Sequence, residues 1–151
     1  MNTISKLVAL APEQAAEALF TAHRDETSWL DAFSQSLDQR RAAASLSRVL
    51  AIWDMSQSEA ARVFGVSRQA ISKWLDQGAP AERAVVIAQL SAATDLLVRY
   101  IKRDRIPAVV RRPIGSTGGA CLIDLAARGD PERLLQIARE MFRFERAQGQ
   151  E

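Results

Sequence analysis

The sequence predicts an all-α protein. Hydrophobic residues make up 48% of the 151 residues and charged residues 25%, a balance that supplies a core and is not typical of a disordered chain. Runs of Val, Ile and Thr with period two, which mark half-buried strands, are nearly absent. Ala, Leu, Arg, Gln and Glu dominate, and all five favour helices. The length fits one ordinary domain, or one small domain with an extension.

The first forty residues contain two amphipathic segments. The segment APEQAAEALFTAHR places Pro12 in the first turn of a predicted helix. In the next segment Trp29, Phe33 and Leu37 recur four residues apart, and such a stripe is more often core than a cofactor site. We expect this N-terminal part to be an added subdomain or a dimerisation arm.

The next predicted helix, SLSRVLAIWDM, has an apolar face of Leu46, Val49, Leu50 and Trp53. It could be a separate helix or continue unbroken from the preceding one. Two short helices joined by a tight turn are then predicted in SQSEAARVFGVSRQAISKWL, residues 56–75. Ser56 and Glu59 form a capping box, Gly65 ends the first helix, Ser67 caps the second, and Gly78 ends it.

Two helices that cross steeply need a small residue at the crossing, a turn residue that tolerates positive φ, and inward apolar residues on the second helix. The residues in these places are Ala61, Gly65, Val66, Ile71, and Trp74 or Leu75. On these residues the stretch resembles the helix-turn-helix of Xre and phage repressors. The resemblance implies that the second helix enters the major groove of DNA.

The resemblance also implies a role for each polar residue of the stretch. The implied base readers are Arg68, Gln69, Ser72 and Lys73, since Arg pairs with guanine and Gln with adenine. The implied phosphate contacts are Gln57, Arg62 and Ser67. Without the resemblance, the same stretch reads as a helical hairpin with a solvated polar face.

The charge distribution agrees with a polyanion-binding centre. The net charge is −3 over residues 1–40, +6 over residues 41–112 and −1 over residues 113–151. Part of the excess lies in RYIKRDRIPAVVRR, residues 99–112. This basic stretch could extend the DNA footprint, face an acidic partner, or be a solvated helix end.

The longest helical run, APAERAVVIAQLSAATDLLVRYIKRDRIP, has a predicted apolar face of Val85, Val86, Leu90, Ala93, Leu97, Tyr100 and Ile101. It should end or kink before Pro107. A Gly/Pro-rich loop, RRPIGSTGGA, and a short helix, CLIDLAA, come next. The last predicted helix has Asp130 as its N-cap and Pro131 at its first position.

The tail has a pattern of its own: Arg112-Pro113, Gly118-Gly119, Leu122 and Leu125, and the run from Gly129 to Leu135. On these residues it resembles the C-terminal toxin-binding domain of Xre/MbcA/ParS-type antitoxins. The family loop usually reads closer to Pro-x-x-x-Leu-Gly-Gly followed by a proline, whereas this chain has Thr117 at the Leu position and no second proline.

The two resemblances together imply three parts: an N-terminal helical extension (1–44), a helix-turn-helix domain (45–104) and a toxin-binding module (105–151). They imply a homodimeric type II antitoxin that represses its own operon and neutralises a RES-type toxin, which attacks NAD⁺. The implied partner surface consists of Arg111, Arg112, Gly115, Ser116, Thr117, Gly118, Gly119, Arg139 and Arg143. The alternative is a stand-alone Xre-type repressor whose tail serves oligomerisation or sensing.

Other function classes find little support in the sequence. With one histidine, His23, and one cysteine, Cys121, we expect no metal, no cofactor and no enzyme activity. We expect Cys121 to be buried and His23 to lie at a helix end or the surface. GSTGG follows no strand and lacks the P-loop lysine. No apolar run is long enough for a bilayer and the N-terminus is a poor signal peptide, so we expect a cytoplasmic protein without a membrane partner.

Overall fold

The computed structural model describes residues 2–143, and all regular structure in this range is helical. The all-α prediction is therefore confirmed. The α-helices are α1 (Thr3–Val8), α2 (Pro12–Ala22), α3 (Thr27–Trp53), α4 (Gln57–Phe64), α5 (Arg68–Gln77), α6 (Ala84–Tyr100), α7 (Ile106–Val109), α8 (Leu122–Ala127) and α9 (Pro131–Met141). Short 3₁₀ turns lie at Ala81–Arg83, Arg103–Arg105 and Gly115–Thr117.

The chain forms two compact units, residues 1–37 and 38–151. Helix α3 is unbroken from Thr27 to Trp53, which decides the alternative that the sequence left open, and it has residues in each unit. It also passes the expected boundary at residues 44–45. The division into an extension (1–44), a DNA-binding part (45–104) and a toxin-binding part (105–151) stays a prediction.

The first unit contains α1, α2 and the start of α3. Its aromatic side chains stack: the His23 and Trp29 rings lie 3.5 Å apart and the Trp29 and Phe33 rings 5.2 Å apart. Even so, no side chain of residues 2–37 is fully buried, and Leu37 is 45% exposed. The expectation that Trp29, Phe33 and Leu37 form core is therefore wrong for Leu37 and only partly met by the two rings. A unit of this size has too little apolar surface to enclose a core.

The second unit has a continuous core built from α3, α4, α5, α6, α8 and α9. The predicted apolar face of α3 is buried at Leu46, Val49, Leu50 and Trp53. The predicted face of α6 is wrong at Val85, which is 66% exposed, while Ile87 is buried. At 100° per residue, Val85 lies on the far side of α6 from Leu90 and Leu97.

The tail shares this core. Helix α9 packs along α6, and α8 packs against α4. The cysteine expectation is confirmed, since Cys121 is buried, and burial raises the pKa of its thiol. The Asp124 carboxylate accepts a hydrogen bond from the Cys121 backbone N–H at 3.0 Å, which caps α8. Within the described residues, α8 thus packs onto the two-helix segment through α4, while α9 packs onto α6.

Candidate nucleic-acid and partner interfaces

The α4–turn–α5 segment has the local structure that its residues predict. The Ser56 hydroxyl accepts from the Glu59 N–H at 3.1 Å, and the Ser56 N–H donates to the Glu59 carboxylate at 3.0 Å. Gly65 ends α4 in the left-handed region at φ 65°, where a β-carbon is strained. The Ser67 hydroxyl accepts from the Ala70 N–H at 3.1 Å and caps α5. Both helix starts and the turn are therefore fixed by local hydrogen bonds.

Most of the residues predicted to face inward between the two helices are buried, and Val66 is partly buried. Ala61 and Ile71 are buried, and Trp74, not Leu75, is the buried residue near the end of α5. The Trp74 ring packs edge-on against Phe64, with centroids 5.6 Å apart and planes at 83°. This contact holds α5 against α4 and turns the opposite face of α5 outward.

Four of the polar residues singled out for DNA lie together on the outward side of α4 and α5, Gln57 on α4 and the other three on α5. Gln57, Arg68, Gln69 and Ser72 line one shallow depression of about 280 Å³. Lys73 is exposed but outside this lining. The depression joins the start of α4 to the first turn and a half of α5.

The two remaining phosphate candidates have contacts within the chain. The Ser67 hydroxyl is engaged as the cap of α5. Arg62 is exposed, and its charge helps to lower the pKa values of Glu59 and Asp124. Arg62 thus lies near two carboxylates, and its role at a phosphate stays a prediction.

Two arginines that the sequence did not single out hold the ends of these helices. Arg40 donates to the Asp76 carbonyl near the end of α5 at 2.8 Å. Arg83 donates to the Phe64 carbonyl at the end of α4 at 3.2 Å, and its guanidinium lies 5.8 Å from the Trp74 ring centroid. Carbonyls at a helix C-terminus lack intrahelical partners. These arginines therefore position the two helices, and nothing in the local sequence pattern marks such long-range bonds.

Backbone contact completes the support of α5. The Ala79 N–H donates to the Gln39 carbonyl at 3.1 Å. A β-carbon on Gly78, where φ is 118°, would lie 3.2 Å from the Gln39 β-carbon. Glycine here lets the chain leave α5 directly against α3.

Arg111, which the resemblance assigns to the partner surface, is occupied by the chain itself. Its guanidinium donates to the carbonyls of Trp53 (2.8 Å), Pro107 (2.9 Å) and Asp54 (2.9 Å), and it lies 3.2 Å from Glu59 Oε2. Asp54 itself has φ 50° at the end of α3. Since most of its donors are used in this way, we leave Arg111 out of the partner surface proposed below.

Glu59 links Arg111 to the start of α4. The Ser56 N–H that donates to its carboxylate is the main reason that the pKa of Glu59 is lowered, and the charges of Arg111 and Arg62 add to this against partial burial. The ionised form is thus the one that the capping box and the ion pair both favour.

The other partner candidates lie at three places. Arg139 and Arg143 line a depression of about 370 Å³ together with Leu96, Tyr100 and Phe142. Arg112 lines a second depression, of about 630 Å³, which also includes Tyr100. The loop of residues 115–119 belongs to neither lining. The structure therefore brings three of the predicted cations near Tyr100 and leaves the loop elsewhere.

The loop is held closed by its own bonds. The Ile114 N–H donates to the Ala120 carbonyl at 3.0 Å. The Thr117 hydroxyl lies 2.7 Å from the Ile114 carbonyl and 2.8 Å from the Ala120 carbonyl. Thr117, the residue that departs from the family pattern, therefore stabilises the turn from within, while Gly115, Ser116, Gly118 and Gly119 are exposed. Their role toward a partner stays a prediction.

The fold and this surface define an all-α protein that presents the polar face of a two-helix unit. No family model matches the sequence, and no curated protein matches it. Among solved structures, the chain is similar to a chain of the crystal structure of the M. tuberculosis MbcT–MbcA toxin–antitoxin complex. The TM-score is 0.55 at 18% identity, over 66% of this chain and 91% of that one. At this identity the likeness shows a shared fold.

Within residues 2–143, no helix has the length and apolarity that a bilayer span requires.

Proposed function

We propose that this protein is the antitoxin of a type II toxin–antitoxin system, which represses its own operon through α4 and α5 and binds its toxin through the tail. The observation that carries the DNA part is the clustering of Gln57, Arg68, Gln69 and Ser72 on one outward face. The caps of α4 and α5 and the bonds of Arg40 and Arg83 hold this face in place. A preorganised polar face of this kind suits base readout.

The toxin part has two supports. One is the likeness of fold to a chain from a toxin–antitoxin complex, and the other is the tail pattern, which is similar to that of Xre/MbcA/ParS-type antitoxins. By that resemblance the toxin is of the RES type and attacks NAD⁺. An antitoxin needs no catalytic centre, and we propose that the protein is not an enzyme and acts in the cytoplasm.

We further propose a homodimer, because repressors of this class bind two half-sites related by a two-fold axis. The N-terminal extension supports this by its exposed apolar side chains, which in a monomer would face water. They are Ile4, Val8, Leu10, Phe20 and Leu37.

Selection from a randomised DNA library tests the reading face. The full chain should enrich one palindromic sequence and bind it with a Kd well below 1 μM at physiological salt, since non-specific binding lies at about 10⁻⁴ to 10⁻⁶ M. Arg68→Ala should lose preference at one base pair per half-site, with a loss of about 5- to 150-fold in affinity. Arg62→Ala should instead weaken all sequences alike and flatten the salt dependence.

The matched control is Arg133→Ala, on the exposed first turn of α9, which should leave the selected sequence and the Kd unchanged. An Arg68→Ala protein that enriches the same sequence as the wild type would remove Arg68 from the readout. Failure to enrich any sequence would refute the DNA-binding proposal.

Co-expression tests the toxin part. The antitoxin proposal expects an adjacent gene for a small RES-domain protein, whose expression alone stops growth and lowers cellular NAD⁺. The present chain should restore both, and the two proteins should elute as one complex. A chain that binds its operator but neither binds nor neutralises that product would be a stand-alone repressor.

A further inference from the structure

Two neighbouring depressions have Tyr100 in their linings, and we call them together the Tyr100 groove. One side lies between α6 and α9 and contains Leu96 and Phe142. The other lies along the segment from the end of α6 to Arg112 and contains Ile101 and Val109. Their volumes are about 370 and 630 Å³, a range typical of sites that enclose side chains or small ligands.

The lining combines cations with apolar surface. The cations are Lys102, Arg105, Arg112, Arg139 and Arg143, and Asp104 is the acidic residue in the described lining. The Tyr100 and Phe142 rings, which both line the first depression, stack with centroids 4.7 Å apart, and the Arg99 guanidinium lies 5.5 Å from the Tyr100 centroid. A ligand that complements this groove must carry negative charge and apolar groups together.

The combination of cations with apolar surface favours an acidic peptide over a nucleic acid as the ligand. A DNA duplex is convex and presents phosphates and sugars, which would leave the concave apolar floor unfilled. An amphipathic peptide segment can place Leu or Phe on the floor and Asp or Glu against the cationic walls, as helices do in apolar grooves. Charge complementarity then adds specificity and speeds association.

We propose that the Tyr100 groove binds an acidic, amphipathic segment of a partner protein. Under the proposed function that protein is the toxin, and the inference rests on the proposed function for this assignment alone. The proposal moves the centre of the partner surface from the loop of residues 115–119 to Tyr100. It also gives the basic stretch of residues 99–112 a protein partner, where the sequence left DNA, a partner and solvent open.

A direct titration of the full chain tests the groove. The probe is a fluorescein-labelled 14-residue peptide with Glu and Leu or Phe at helical spacing. Two companion peptides replace Glu by Lys, or Leu and Phe by Ser, and a 14-nucleotide oligo-dT serves as the nucleic-acid probe. Fluorescence anisotropy should show saturable binding of the acidic amphipathic peptide and at least tenfold weaker binding of the other three.

Charge reversal locates the binding. Lys102→Glu combined with Arg105→Glu changes two exposed side chains and should weaken the acidic peptide at least tenfold, while Arg133→Glu, outside the lining, should stay within twofold. Hydrogen exchange on the wild type gives an independent measurement, since the peptide should protect amides in residues 96–112. That measurement does not depend on how the variants fold.

Four results would overturn the proposal: no saturable binding below 1 mM, equal binding of the Lys peptide, oligo-dT binding as tight as the acidic peptide, or full binding by the double variant. Toxin neutralisation by the double variant separates the two proposals. If the double variant no longer binds the peptide but still neutralises the toxin, the toxin is not the occupant of the groove, while the antitoxin function stands. Peptide binding by a chain that neutralises no toxin supports the groove and overturns the antitoxin function.

Discussion

We expect the Arg111 side chain to contribute more to the free energy of unfolding than that of Arg112, the arginine next to it. Arg111→Ala removes the donors to the carbonyls of Trp53, Asp54 and Pro107 and the ion pair to Glu59. A hydrogen bond to a charged group contributes about 1.5–3 kcal/mol to stability. The Arg111 side chain is 35% exposed, so water can replace part of this set.

We therefore expect a loss of about 2 kcal/mol in the free energy of unfolding, less than the sum of the separate bonds. For a chain of this size that corresponds to a fall in Tm of about 4 to 8 °C. Urea unfolding followed by circular dichroism measures the free energy, and a thermal scan measures the Tm. Arg111→Lys should recover only part of the loss, because one ammonium cannot reach all four acceptors.

Arg112→Ala is the matched control, since it removes an equal charge from the next residue, which is exposed. Its effect should stay within about 0.5 kcal/mol. Equal stability of the two alanine variants would refute the reasoning. It would mean that water satisfies the carbonyls at the end of α3 as well as Arg111 does.

Three further changes test the turn, the core and the acid response. Gly65→Ala should cost about 1 kcal/mol and Gly65→Asn less, because Asn tolerates the φ of 65° found there; equal urea midpoints would contradict this. Thr94→Val should cost about 1–3 kcal/mol and Thr94→Ser less, since valine leaves the Trp53 indole N–H without its 2.9 Å acceptor in the core. The lowered pKa values of Glu59 and Asp124 place fewer protons on the folded chain than on the unfolded one. Their contribution is therefore complete above the unfolded value, about pH 4, and is lost as the pH falls through the folded pKa. Urea unfolding should show Glu59→Gln less stable than the wild type at pH 7 and the difference shrinking by pH 3; a constant difference would contradict the assignment.

The structure also bears on how the two proposed activities are connected. Arg111 lies in the segment that follows α7 and holds both the end of α3 and Glu59 of α4. Helix α8 packs on α4, and α9 packs on α6. The tail that is proposed to bind the toxin is therefore part of the core that supports the proposed DNA-reading face.

Local chemistry in the sequence was enough to predict both ends of α4 and α5 and the start of α9, but not the end of α6, which lies at Tyr100 and not next to Pro107. Ser56, Ser67 and Asp130 cap their helices through bonds to residues three positions away, and Gly65 ends α4 through its own backbone conformation. Such interactions depend only on near neighbours, so spacing reveals them. The outward residues of α5 were predictable for the same reason, because helical period and one buried face determine the other.

Three features depend on which parts of the chain pack together and could not be predicted from the sequence. Arg40, Arg83 and Arg111 look like free surface charge in the sequence, yet each binds carbonyls at a helix end between 19 and 58 residues away. The Tyr100 groove needs the end of α6 beside α9 and Arg112. Leu37 and Val85 continue predicted apolar patterns but remain exposed, since burial depends on what packs against a face and not on the face alone. Hydrogen bonds between residues at most four positions apart can be predicted from the spacing of residue types. Hydrogen bonds between residues far apart in the sequence form only when the core packs and brings those residues together.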